Sequence, residues 1–482
     1  MALAFAGGSA RSRSAGSSAV TLVALCSLFI IRAPYLSTFT TTRGFLALLP
    51  FIASIAWLLC QRQHHADRRL LLLVTACLLF FLVDLYRGKL AGVGIGGTQE
   101  ILVQFGTVVV VSAFGVLLLT TAHDAPTKWR RLVAVALAPA FFITISVLLR
   151  FAGFSSGEVD RNDISYAAGT PAKTLALIGI HVTREAFPMN PSINGTGVVA
   201  AVGLVMAATL ALNAVGRDRH LGLFGAGMCL VALLLADTRA ALILSVAIVG
   251  FLALVKRPRI ALLIGLFIPF SAWLVTSALS VLSNTGLASA VARGAKDVST
   301  GNGRTLIWTA TKHELATSDP FHLLFGWGAN GQASSGTSHG YAHAFELVYR
   351  PLLVHVHNFG LQTILDMGIV GLAVFVATIV LALRRLEVIN RISPRGPVPA
   401  IIGGLVAVML TGATEPSPTY RTQETLILVF LLLGVATGLA KQPVEIPAAE
   451  SPRLVPAKVR TPIPPSVLST ASMQGRASAT QE

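Results

Sequence analysis

The stretch LLLLVTACLLFFLV, residues 70–83, is the kind of run that most limits what this chain can fold into. It shows no period-two alternation, so it is not a strand of a closed barrel. Apolar runs near or above roughly 18 residues recur along the chain, each long enough for about 30 Å of hydrocarbon. The composition agrees: 54% of the 482 residues are hydrophobic and only 12% are charged, with a mean hydropathy of +0.72. A soluble domain carries about 25% charged residues. The expected fold is an all-α polytopic membrane protein.

Spans are expected at about 18–33, 44–60, 69–86, 102–120, 132–150, 195–214, 221–236, 239–255, 260–282, 357–383, 400–414 and 423–440, about twelve in all. No small-residue cleavage site follows the first run, which therefore reads as a retained helix. The connections QRQHHADRR, KWRR, GRDRH, KRPR and RRLEVINRISPR are dense in Lys and Arg. Positive-inside bias places them, and both termini, in the cytoplasm. The expected organisation is a cytoplasmic tail over 1–17, a transmembrane domain over 18–441 and a disordered cytoplasmic tail over 442–482. The last is rich in Pro, Ser and Ala and has too little apolar periodicity for a core.

Two long connections then face the outside, about 151–194 and about 283–356; connections of this length are usually functional. The formal net charge of +16 belongs to the short inner loops, so nucleic acid is not an expected partner. Cys26, Cys60, Cys77 and Cys229 lie in or beside apolar runs without metal or disulfide spacing and read as small buried hydrophobes.

The polar residues of interest converge on the outer side. Arg239 lies in the tight turn of LLLADTRAALILSV, where positive-inside bias disfavours a cation. Arg304 opens GRTLIWTATKHELATSDP, which reads as an amphipathic surface helix from about Thr305 to Ala316 ended by Asp319-Pro320, with GWGANG as a flexible turn after it. Arg184 precedes another span, and His357 opens the span HNFGLQTILDMGIVG. Singly, each has an ordinary reading. An Arg at a helix end snorkels to headgroups, an Arg in a loop is solvated, and a His at a helix start is an interfacial polar group. Solvation is the better reading for Arg184 alone. Together, guanidinium groups suit bidentate capture of phosphate. The set therefore points to an anionic, lipid-borne ligand at the outer surface. Glu415, Tyr420 and Arg421 in another outer turn read equally as acceptor contacts or as a solvated turn. Asp160, Arg161 and Asp163 carry the same ambiguity.

These residues resemble the O-antigen ligase and polymerase superfamily of bacterial membrane glycosyltransferases. The family pattern of His, then Asn, Ser or Gln, nine residues, Gly, two residues and Gly is met by His357, Asn358, Gly368 and Gly371. The Arg-x-x-x-Leu element is similar to Arg239 through Ile243, with Ile in the Leu place. Gly303, Arg304 and Trp308 resemble the Gly-Arg and Trp of the family's loop helix. Asn190 to Asn194 loosely echo its Pro-Asn element, and Asp366 stands where the family usually has Glu.

The resemblance implies a GT-C-like layout and an enzyme of the cytoplasmic (inner) membrane with an extracytoplasmic site. It would transfer a glycan from a polyprenyl-diphosphate carrier to a lipid, protein or polysaccharide acceptor. No metal or other cofactor is expected. The implied catalytic residues are His357 as base, with Arg239 and Arg304 on the diphosphate. Asn358, Arg184, Gly368 and Gly371 are implied in substrate binding, the glycines by letting a neighbouring helix or an isoprenoid tail approach the backbone. Two other classes compete. A twelve-helix transporter or lipid-glycan flippase needs ionisable groups inside the membrane, and the sequence offers only Asp84. A non-catalytic scaffold leaves the polar motif without a role.

Overall fold

The computed structural model describes residues 10–32, 41–61, 66–93, 98–122, 124–154, 171–176, 179–189, 193–255, 259–283, 304–342, 355–392, 396–415, 418 and 423–439. Among these the chain is nearly all helical. There is no β-strand, and one isolated bridge joins Pro171 to Thr183. The expectations for Asp160, Arg161, Asp163, Asn190 to Ser192, Gly303, Tyr420, Arg421 and the tail from 442 fall outside the described residues.

In chain order the helices are α1 (Ala10–Leu25), α2 (Ser27–Arg32), α3 (Thr41–Leu59), α4 (Arg68–Leu90), α5 (Thr98–Thr120), α6 (Ala125–Phe151), the short α7 (Lys173–Ala176), α8 (Ile193–Asn213), α9 (Gly216–Ala236), α10 (Arg239–Leu254) and α11 (Ile260–Ser283). Then come four helices of the long connection, α12 (Arg304–Thr317), α13 (Pro320–Phe325), α14 (Gly331–Ser334) and α15 (Thr337–Ala342). The chain closes with α16 (Phe359–Ile392), α17 (Val398–Thr411) and α18 (Gln423–Leu439). Among the described residues, seven helices are long and apolar enough to cross a membrane, and five shorter apolar helices of 10–17 residues accompany them. Leu72, Phe224, Leu254 and Trp273 all stand exposed on the bundle. Apolar surface of this kind, unpaired in water, is solvated by acyl chains.

Between apolar helices the association rests on close packing, so small residues mark the tightest contacts. A Cβ at Gly115 of α5 would sit 2.7 Å from the Leu431 carbonyl, and one at Gly434 of α18 would sit 2.4 Å from the Ser112 carbonyl. Those two backbones therefore touch, which no larger residue permits.

Antiparallel packing fixes which helix ends gather. Gly403 and Gly404 of α17 face Val205, Met206 and Thr209 of α8, so the end of α17 lies level with the start of α8. Gly197 of α8 abuts Thr238, and Phe359 N–H donates to the Gly412 carbonyl at 2.7 Å. The start of α8, the α9–α10 turn, the end of α17 and the start of α16 thus share one end of the bundle, called here the upper end. At the opposite end Asp67 caps α4 through Arg69 and Leu70 and pairs with Arg385 at 3.1 Å.

The segment after α12 is less simple than one helix and a flexible turn. Asp319 ends α12 but also caps α13, accepting from the Phe321 and His322 N–H groups. The run Gly326–Asn330 is held fast. Trp327 N–H donates to the Leu365 carbonyl at 2.7 Å, Gly328 N–H to the Asp366 carbonyl at 2.9 Å and Ala329 N–H to the Asp84 carbonyl at 2.9 Å. Arg87 donates to the Phe325 and Gly326 carbonyls, 2.5 Å each. The reason lies in α16. Gly368 there has φ 74° and ψ −178°, angles open to glycine, and the helix kinks. Carbonyls on the N-terminal side of the kink are taken by the loop.

Candidate active site at the upper end

Two cationic groups are built at the upper end. In the first, α9 ends on Asp237, whose left-handed φ of 49° suits an Asx residue closing a helix. Its carboxylate accepts from Thr174 N–H at 3.1 Å and from the Thr174 hydroxyl. Arg239 Nε lies 3.3 Å from the same oxygen. Burial works against the Asp237 charge, but the Thr174 and Arg239 bonds outweigh it and hold the carboxyl below the usual range. Arg184 joins this turn. It is only 6% exposed, and its Nε donates to the Ala236 carbonyl at 3.0 Å. The expectation of a solvated Arg184 is therefore corrected. The bond from Glu185 N–H to the Leu235 carbonyl, 3.0 Å, pulls the preceding connection onto the end of α9.

The second group is assembled from three distant segments. Arg304, the first residue of α12, places Nη2 2.7 Å from Glu415 Oε1. His357 Nδ1 lies 3.3 Å from Glu415 Oε2. One carboxylate thus bridges the guanidinium and the imidazole. Glu415 was open between a contact and a solvated turn; the structure makes it a partly buried bridge. Its sequence signal was weak, since an acidic residue in a Pro-rich turn looks solvated.

Local structure holds this arrangement. His357 sits at φ 50°, a conformation uncommon outside glycine, and strained backbone of this kind persists only where surroundings enforce it. The enforcing contacts flank it. On one side Trp308 Nε1 donates to the Val356 carbonyl at 2.8 Å, and Trp308 is 1% exposed in a small core with Ile307, Tyr341 and Leu361. Burial raises the Tyr341 phenol well above its usual range. On the other side Asn358 caps α16, accepting from Leu361 N–H at 3.0 Å. Its Nδ2 donates to Ser271 Oγ at 3.1 Å and to the Ala413 carbonyl at 3.0 Å. Asn358 is enclosed, so it acts on the site by fixing where α16 begins. Among the described residues, the non-glycine positions with positive φ are Met189, Asp237, Asn330 and His357, all in connections of the upper end.

The two motif glycines diverge. Gly368 receives the loop: a Cβ there would lie 2.1 Å from the Leu324 carbonyl. Gly371 lines a narrow, partly open cleft between α4, α16 and α18, together with Asp84, Asp366 and several phenylalanines. The expectation that Asp84 is the lone ionisable group inside a span is thus corrected, because Asp366 on α16 shares that cleft. The expectation of buried cysteines holds for Cys77 and Cys229, while Cys26 is half-buried and Cys60 is exposed.

His357 and Arg304 therefore meet at one carboxylate, whereas Arg239 and Arg184 meet at the α9–α10 turn; both groups lie at the upper end. No curated protein matches the chain. Residues 224–376 match the family model described as O-antigen ligase; the segment begins in α9, carries Arg239, Arg304 and His357, and ends in α16. The likeness read from the motifs falls on this matched segment, so over residues 224–376 the chain is similar to the O-antigen ligase family, within a bundle of helices long and apolar enough to cross a membrane.

Proposed function

We propose that this protein transfers a glycan from a polyprenyl-diphosphate carrier to a lipid, protein or glycan acceptor at the outer face of the cytoplasmic membrane. Seven long and five shorter apolar helices support twelve spans with both termini inside. Arg385, Arg391, Arg217 and Arg219 at the ends of helices opposite the site fit the positive-inside orientation. The observation that carries the reading is the Arg304–Glu415–His357 bridge, with Arg239 at the same end of the bundle.

In the proposed reaction the acceptor hydroxyl oxygen forms the new bond to the anomeric carbon. The bond from that carbon to the phosphate oxygen breaks, and the electron pair leaves with the diphosphate. His357 takes the hydroxyl proton, since an imidazole has a reference pKa near working pH. Arg304 and Arg239 neutralise the leaving diphosphate electrostatically, with no metal required of them. Glu415 holds His357 through Nδ1 and leaves Nε2 to face the acceptor. Its grip on Arg304 keeps that guanidinium in place until the diphosphate arrives.

The test is transfer by the purified protein from a lipid-diphosphate glycan. His357→Ala, Arg239→Ala and Arg304→Ala are each expected to lose at least about a hundredfold in rate while the protein still folds. Near-normal transfer by all three refutes the reading. Ion-driven uptake without a transferase product returns the transporter in its place.

A further inference from the structure

The cleft below the site is lined by none of Arg304, Glu415 and His357. Asp84 of α4, Thr363, Asp366, Gly371 and Phe375 of α16 and Phe430 of α18 line it. It is an apolar, aromatic space with two carboxyl groups in its wall. Asp84 is 3% exposed and Asp366 is 4% exposed.

Their hydrogen bonds differ. Asp366 Oδ1 accepts from Gly331 N–H and from Gln362 Nε2, both at 2.8 Å. Asp84 Oδ1 is buried with no hydrogen-bond partner among the described residues. A buried acceptor left unmade costs about 1–3 kcal/mol, more for a charged group. Arg87, one turn on in α4, gives that oxygen no hydrogen bond and directs two guanidinium nitrogens to the Phe325 and Gly326 carbonyls. The missing element is a hydrogen-bond donor inside an aromatic cleft. Such a cleft repels an anion and welcomes a hydroxyl or an ammonium. Phenylalanine faces favour both, the C–H face of a sugar by packing and a cation by its attraction to the ring.

Asp84 lies six residues before the end of α4, so about 9 Å below it. That is the depth at which a lipid head sunk beneath the interface would sit. We propose that this cleft binds a membrane amphiphile whose hydrogen-bond-donating head, a hydroxyl or an ammonium, sits against Asp84 and Asp366, its apolar body lying along the phenylalanines. This site is distinct in charge from the arginine groups above it, which suit the opposite sign.

The experiment places the full-length protein in lipid nanodiscs with three photoactivatable dodecyl probes bearing a glucoside, a primary amine or a phosphate head. Labelled peptides are mapped by mass spectrometry. The glucoside, the amine or both are expected to label residues 77–84 or 359–375 at least tenfold above the phosphate. Which of the two labels identifies the source of the donor. Asp84→Leu is expected to reduce that labelling at least tenfold. Thr363→Leu keeps both carboxyls but fills the cleft, and is expected to abolish it even if Asp84→Leu fails to fold. Equal labelling by the phosphate probe, or labelling unchanged in a folded Asp84→Leu or in Thr363→Leu, overturns the proposal. His357→Ala is expected to keep full labelling, so a failure here and a failure of the transferase reading are separate results.

Discussion

Arg239 and Arg304 are both outer-end arginines held by a carboxylate, but they are held in different ways. Arg239 pairs with Asp237 two residues earlier, inside one turn between two helices. Arg304 pairs with Glu415, 111 residues away, and shares it with His357. The first pair is a property of a local turn and forms whenever α9 and α10 do. The second exists only when the long connection, the start of α16 and the end of α17 are docked. Placing charge at the membrane surface needs little tertiary structure. Placing an imidazole beside that charge needs most of it.

The largest expected effect follows from removing the shared carboxylate. Glu415→Ala releases both Arg304 and His357, and misplacement of reacting groups costs about a hundredfold in rate. Asp237→Ala frees one guanidinium, and the lost hold on Arg239 is expected to cost transfer about 1.5 kcal/mol or roughly tenfold, while the lost bonds from Thr174 cost stability. Transfer rates of the two variants decide the matter; an Asp237→Ala loss equal to or larger than that of Glu415→Ala breaks the contrast.

A smaller effect sharpens it. Trp308→Phe keeps the aromatic core but leaves the Val356 carbonyl without its donor, at a cost of about 1–3 kcal/mol. The His357 segment loosens while the Asp237 turn is untouched. Thermal unfolding is expected to shift down, and transfer is expected to fall further than in a Phe substitution remote from the site. An unchanged rate at lowered stability would show that Trp308 supports the fold and not the imidazole.

The smallest effect concerns acid. The Asp237 carboxyl is held below its usual range, so its stabilising contribution is full above the unfolded value, about 3.9. It is lost as pH falls through the lower folded value. Asp237→Asn lacks this contribution at every pH. The difference in Tm between wild type and variant is therefore expected to be constant above about pH 5 and to shrink below about pH 4. A difference that grows on acidification contradicts the sign.

Much of this was legible beforehand, for physical reasons. Apolar runs report helices in lipid directly, because backbone polar groups there have no other partner. The α12 helix was placed within a residue or so by its periodicity, Arg304–Thr317 against about Thr305 to Ala316. The motif spacing marked His357, Arg239 and Arg304. What escaped were pairings between distant segments. Glu415 looked solvated, and Arg184 looked like a loop charge before the end of α9 received it. Asp366, a single carboxylate late in an apolar run, gave no sign that it faces Asp84 across a cleft. Gly368 and Gly371 occupy equivalent-looking motif positions, and only the kink separates their roles.

That kink ties two stretches of sequence into one register. The backbone of α16 borrows its missing donors from residues 327 and 328, while Gly331 N–H reaches the Asp366 side chain. An insertion or deletion of one residue within 326–331 would misalign every bond in that ladder at once, as a slipped tooth disengages a zip. Length variation in related chains is thus expected to avoid the 326–331 segment, which stays constant in length opposite its glycine.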